Sequence, residues 1–183
     1  MKISRDTSIT PEIMNARLPG SLPGLMGIEI TEIRDGELDA QMPVQPDKLA
    51  PNGFLHAASV IALADTACGV ATWVHMPDGA ESFTTIELKS NFLGTARDGE
   101  ITCTAKAQHM GRTTQVWDAE VKHTETGRTI ALFRCSQMIL WPRFKATVIQ
   151  GSISAAAPIL PSSRYLRRCL GPPTWPTRTS SLF

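Results

Sequence analysis

The sequence predicts an α+β domain in which an antiparallel sheet wraps one long central helix. Two observations carry this expectation. From Ser59 to Val74 the chain is uncharged except for Asp65, and a helix apolar all round has to be buried rather than laid on a surface. Before and after that segment, two and then four runs alternate apolar with polar residues between short turns, the pattern of antiparallel strands.

The first 23 residues read as an N-terminal arm. Thr10-Pro11-Glu12 is a helix-start signal, and LPGSLPG at 18–24 is turn-forming. Ile28, Ile30 and Ile33, then Leu38, Ala40, Met42 and Val44, alternate around Arg34-Asp35-Gly36-Glu37, a β-hairpin signature. Pro43 and Pro46 close it, and a loop containing Pro51-Asn52-Gly53 leads to the helix. The helix is expected to start just after His56 and run to about His75, where Met76-Pro77-Asp78-Gly79 stops it. Strands are expected over 83–93, 100–109, 113–123 and 129–140, so the domain spans 24–143.

Charge separates that domain from the C-terminal residues. All 17 acidic residues precede Phe144, whereas residues 144–183 hold none, with five basic residues and five prolines. This basic, Pro- and Ser-rich tail is expected to be disordered. A net charge of +1 gives no general case for nucleic-acid binding, which needs a concentrated basic face. Cys68, Cys103, Cys135 and Cys169 lack C-x-x-C spacing, so neither a zinc site nor a disulfide framework is expected, and reduced cytoplasmic thiols are the default. Asp65 in the middle of the apolar run argues against a membrane span.

Asp65 is the residue with most chemistry in it. Burial disfavours ionisation and raises a carboxyl pKa, which suits proton abstraction near neutral pH. The structural reading is a buried aspartate tied to a hydroxyl, with Thr66 and Thr85 as partners.

The strings NGFLHAASVIALADTACG and SFTTIELKSNFLGTARDGEITCTAKAQHMGRTTQVWDAEV resemble the hotdog-fold acyl-CoA thioesterases of the phenylacetate-pathway, PaaI-like type, over roughly Gly24 to Leu140. The resemblance implies hydrolysis of an acyl-CoA to a carboxylate and free CoA. The acyl group would be small to medium, with aromatic acyls among the candidates, and no cofactor or metal is required. It implies Asp65 as general base or nucleophile and the Ala57 amide at the helix start as donor to the thioester carbonyl. His56 would steady the loop or contact that carbonyl, Asn52 would help bind carbonyl or water, and Thr85 would orient the water or carboxylate. For CoA phosphates it implies Arg112 in the turn at 109–112, with Lys89 and Arg97 behind it. Family members assemble each site from two subunits, so a homodimer or dimer of dimers is expected, with His56, Asn52 and Ala57 facing Asp65 and Thr85 across the interface.

The chain departs from the family at Ala57 and Ala58, which replace two glycines after the histidine. Alanine keeps the amide but adds a methyl where substrate approaches backbone. That motivates an alternative, a non-catalytic acyl-CoA-binding or regulatory hotdog protein. A dehydratase would need a different acid and histidine placement. No G-x-S-x-G, H-E-x-x-H or P-loop pattern occurs.

Overall fold

A computed structural model describes residues 3 and 5–142, and the predicted tail lies outside them. Helix α1 (Pro11–Asn15) begins at Thr10, whose hydroxyl accepts the Ile13 N–H, with Pro11 in the first turn where its missing N–H costs nothing. Asn15 then ties α1 to the next strand, donating to Ile30 O at 2.9 Å and accepting from Ile30 N at 2.8 Å. The LPGSLPG segment, read as turn, contains one helical turn, α2 (Leu22–Leu25). Gly24 allows it, because a Cβ there would stand 2.2 Å from Leu18 O.

Strands β1 (Glu29–Arg34) and β2 (Glu37–Pro43) form the predicted hairpin. Arg34 faces Glu37, leaving a two-residue Asp35-Gly36 loop with Gly36 at φ 71°, the left-handed geometry that Asp-Gly favours. The long helix α3 (Ala57–Val74) follows, then β3 (Ser82–Phe92), β4 (Glu100–Met110), β5 (Thr114–His123) and β6 (Thr129–Leu140). The sheet order is β1-β2-β4-β5-β6-β3, with every pairing antiparallel. This is the α+β hotdog arrangement.

Leu63, Ala64, Ala67, Cys68 and Ala71 of α3 are fully buried. With Met42, Ile101, Ala105, Trp117 and Val121 of the sheet they belong to a single core. Small residues on that helix face let the sheet close around it at the density interiors require. By length and composition α3 could cross a membrane, but ten of its residues are buried, eight of them in this core.

His75 ends α3 and is fully buried. Its Nδ1 lies 2.7 Å from Ala71 O and its Nε2 accepts the Gly36 N–H at 2.9 Å. That pairing places the proton on Nδ1. Gln115 donates to His75 O at 2.7 Å and accepts from Trp117 Nε1 at 3.1 Å, so helix end, hairpin turn and β5 share one network.

The sheet does not wrap α3 completely: Ala57 and Ala58 are exposed, and Ile61, Ala62, Asp65, Thr66, Gly69 and Trp73 are only half-buried. These positions recur at helical spacing, so they form one stripe left open along the helix. The sheet's last strand, β3, is an uncovered edge that exposes Ile86 and Phe92 at 53% and 46%, with Leu93 just beyond it at 61%.

Candidate active site

The start of α3 is held from below by a loop lysine. Lys48 is buried, and its Nζ donates to Pro43 O at 2.8 Å. Its carbonyl accepts from His56 N at 3.0 Å and from Ser59 Oγ at 2.9 Å. Burial pushes the Lys48 ammonium pKa down, against a smaller opposing pull from Asp47. Nothing in the sequence marks this role, since a lysine in a loop reads as a solvated charge.

His56 caps the helix, its Nδ1 accepting the Ala58 N–H at 3.0 Å. The cap has two consequences. The Ala58 amide is occupied, whereas the Ala57 N–H has no acceptor among the described residues. And because Nδ1 accepts, the imidazole proton resides on Nε2, which makes the outer edge of His56 a donor. Two donors therefore stand at the open start of a helix, where partial positive charge concentrates. Asn52 is engaged in its own turn: Oδ1 accepts the Phe54 N–H at 3.2 Å, and Gly53 follows at φ 79°.

Asp65 lies two turns along α3 on the open stripe. Desolvation raises its pKa, and Thr85 opposes this as a weaker influence. Thr85 Oγ1 donates to Asp65 Oδ1 at 3.4 Å, a long bond for a hydroxyl. Thr84 is exposed, so the strand turns Thr85 and not its neighbour to the helix. Gly69, one turn on, lets the Phe83 ring approach to where a Cβ would be 3.5 Å away. Cys68 and Cys103 are buried nearby in the core, with thiol pKa values pushed up, which leaves them poor nucleophiles. Among the described residues no cluster of His, Cys, Asp or Glu could hold a metal ion.

The structure joins Asp65 with Thr85, and His56 with Ala57, but keeps the two pairs apart. Eight residues at 1.5 Å rise separate Ala57 from Asp65 by about 12 Å. One thioester carbonyl cannot touch both within a single chain. The predicted CoA residues are dispersed too. Lys89 lines a groove on the sheet's outer face with Arg34, Lys106 and Arg134. Arg112 stacks on Trp141 at 4.7 Å, beyond the far end of β4, and Arg97 stacks on Phe54 at 4.4 Å, beside the loop before α3.

An antiparallel sheet folded around one long helix is the hotdog arrangement, and the chain's relatives with that fold are thioesterases. The thioesterase superfamily model matches residues 52–135. The 1,4-dihydroxy-2-naphthoyl-CoA hydrolase of Escherichia coli K12 is 32% identical over 132 residues, covering 72% of this chain and 96% of that one. Among solved structures, a thioesterase of Pseudomonas aeruginosa superposes with a TM-score of 0.71 at 29% identity, over 76% of this chain and 99% of that one. The E. coli PaaI protein of the phenylacetic acid degradation operon gives 0.62 at 25%, over 69% and 90%. The chain belongs to the thioesterase superfamily and is a hydrolase acting on thioester bonds.

Proposed function

We propose that this protein hydrolyses a small to medium acyl-CoA, with an aromatic acyl group favoured, in a site built from two copies of the chain. The observation that carries the reading is Asp65, a lone carboxylate on the open stripe of an apolar helix, with its pKa raised by desolvation. In the reaction the Ala57 N–H and His56 Nε2–H of one copy hold the thioester oxygen. Asp65 of the other takes a proton from water as that water attacks the carbonyl carbon; in the nucleophilic alternative Asp65 attacks the carbon itself, and after the thiolate has left, water hydrolyses the resulting anhydride to the acid and restores the Asp65 carboxylate. Collapse of the tetrahedral intermediate breaks the C–S bond, and the leaving thiolate receives a proton. Donors aimed at the developing oxyanion are usually the largest single contribution to such catalysis.

Three features support the two-chain site. They are the about 12 Å between donors and carboxylate, the open stripe on α3, and the unpaired edge of β3 with its exposed Ile86, Leu88 and Phe92, which needs covering. The naphthoyl-CoA relative supports an aromatic acyl group. Buried, unpaired Cys68, Cys103 and Cys135 support a reducing, cytoplasmic setting.

The test is free-thiol release from phenylacetyl-, benzoyl- and 1,4-dihydroxy-2-naphthoyl-CoA beside straight-chain esters. Faster turnover of the aromatic esters is expected. CoA binding with no turnover of any ester would establish the binding-protein alternative that Ala57 and Ala58 motivate.

A further inference from the structure

We infer that Gln137 is a positioning residue for the reaction: its carboxamide oxygen accepts the Thr85 hydroxyl while Asp65 holds the proton taken from water. This rests on the thioesterase reading with Asp65 as general base, and extends the site from the helix into the buried face of the sheet.

Gln137 is fully buried on the helix-facing side of β6, with Cys135 and Ile139 before and after it on that face. A carboxamide removed from water needs partners at both ends. Here only one end has a partner. Nε2 donates to Cys135 Sγ at 3.3 Å, whereas Oε1 has no hydrogen-bond partner among the described residues. An orphaned acceptor in a core costs stability, so an apolar side chain would serve packing better.

The sheet decides which donor this oxygen can meet. Gln137 pairs with Gln115 of β5 on one side and with Thr85 of β3 on the other. Directly opposed residues share a face, with Cβ atoms about 5 Å apart. Gln115 is committed: its Nε2 donates to His75 O at 2.7 Å, and its Oε1 accepts from Trp117 Nε1 at 3.1 Å. The Thr85 hydroxyl is held loosely, since it reaches Asp65 Oδ1 only at 3.4 Å, beyond the usual range for two oxygens.

Two hydrogen-bond states are then available. With Asp65 ionised, the Thr85 hydroxyl donates to Oδ1. When water passes its proton to Oδ1, the bond reverses: Asp65 Oδ1–H donates to Thr85 Oγ1, and the Thr85 hydrogen turns to Gln137 Oε1. No covalent bond of Thr85 breaks, and the chain turns back when Asp65 gives its proton to the leaving thiolate. A hydrogen bond made only with the protonated carboxyl favours that form and strengthens the base. The titratable groups packed around Asp65 are thiols, Cys68 on α3, Cys135 on β6 and Cys103 on β4. The buried face of β5 adds His123 at its far end, and that of β2 adds none. Glu87 and Lys89 of β3 are exposed, and His56 and His75 stand at the two ends of α3. Burial and the Thr85 hydrogen bond therefore govern the state of Asp65.

The experiment titrates the Asp65 carboxyl by NMR of the labelled carboxyl carbon, its signal assigned by its loss in Asp65→Asn. Wild type, Gln137→Met, Thr85→Val and the double variant are compared. Gln137→Met removes the orphaned acceptor at similar volume, so Tm should hold within a few degrees or rise; Gln137→Leu is the second variant. The Asp65 midpoint, and with it the acid limb of kcat/KM on phenylacetyl-CoA, should move down by about half to one pH unit, as one hydrogen bond of ordinary net strength dictates. In the Thr85→Val background the Gln137 substitution should move neither. An unmoved or raised midpoint, an equal shift with and without the Thr85 hydroxyl, or failure of both Gln137 variants to fold would overturn the inference. If no ester is turned over, the thioesterase reading fails, and the carboxyl titration alone decides whether Gln137 acts on Asp65 through Thr85.

Discussion

Replacing Ala57 by proline removes one N–H from the start of α3 while leaving the helix intact. Ala57 is the first helical residue after the His56 cap, the position where proline's fixed φ and missing donor are best tolerated. The preceding residue must be extended, and His56 already sits at φ −67°, ψ 139°. The cap from Ala58 N to His56 Nδ1 does not involve the deleted N–H. Ala57→Pro should therefore melt within a few degrees of the wild type, yet lose about a hundredfold or more in kcat/KM. That loss is the roughly 2.7–4 kcal/mol that one oxyanion donor is worth. Mixing then tests where the site lies. If the donor and Asp65 come from different copies, refolding Ala57→Pro with Asp65→Asn in equal amounts makes half the dimers mixed. Each mixed dimer has one site with both defects and one with none, so about a quarter of wild-type turnover should return in a thiol-release assay. A mixture as inactive as its parents, with mixed dimers confirmed by mass spectrometry, would refute the two-chain site. Full activity in Ala57→Pro would refute the assignment of that amide.

Other consequences concern stability and assembly. In the folded chain the Asp65 carboxyl holds its proton to higher pH than in the unfolded chain. Its stabilising contribution is thus complete below the unfolded value of 3.8 and lost as pH rises past the folded value. Asp65→Asn should raise Tm at pH 7, with the gain vanishing near pH 4, as read by scanning calorimetry; a lower Tm at pH 7 would contradict this. Burial depresses the pKa of His75, against smaller upward pulls from its bond to Ala71 and from Asp35, while Arg5 adds to the depression. Stability should fall as pH drops below about 6.5, where the unfolded histidine gains its proton first. His75→Gln should start lower and show a flatter pH profile. Ile86→Lys with Leu88→Lys places two charges on the exposed edge of β3, and should yield monomers in sedimentation and abolish turnover.

The helix and hairpin were legible because their signals are local. The apolar run, the Asp35-Gly36 loop and the stop at Met76-Pro77 each act within a few residues. The strand ends shifted by no more than one residue for the same reason. The short helix α2 was hidden because Pro23 and Gly24 suit a first turn as well as a loop, and its tight seat against Leu18 O depends on chain path. At the site, Asp65 stood out as a charge without company. The choice between Thr84 and Thr85 needed the strand's facing. Lys48 could not be read at all, since its work is done by a backbone carbonyl that any residue possesses.

That Asp65 performs the chemistry is tested most directly by thiol release from phenylacetyl-CoA with wild type and Asp65→Asn side by side. Loss of at least about a hundredfold in kcat, some 2.7 kcal/mol of transition-state stabilisation, with CoA binding retained, is the expected result. Turnover by Asp65→Asn within a few-fold of the wild type would contradict that role and leave Asp65 as a half-buried carboxylate held by Thr85.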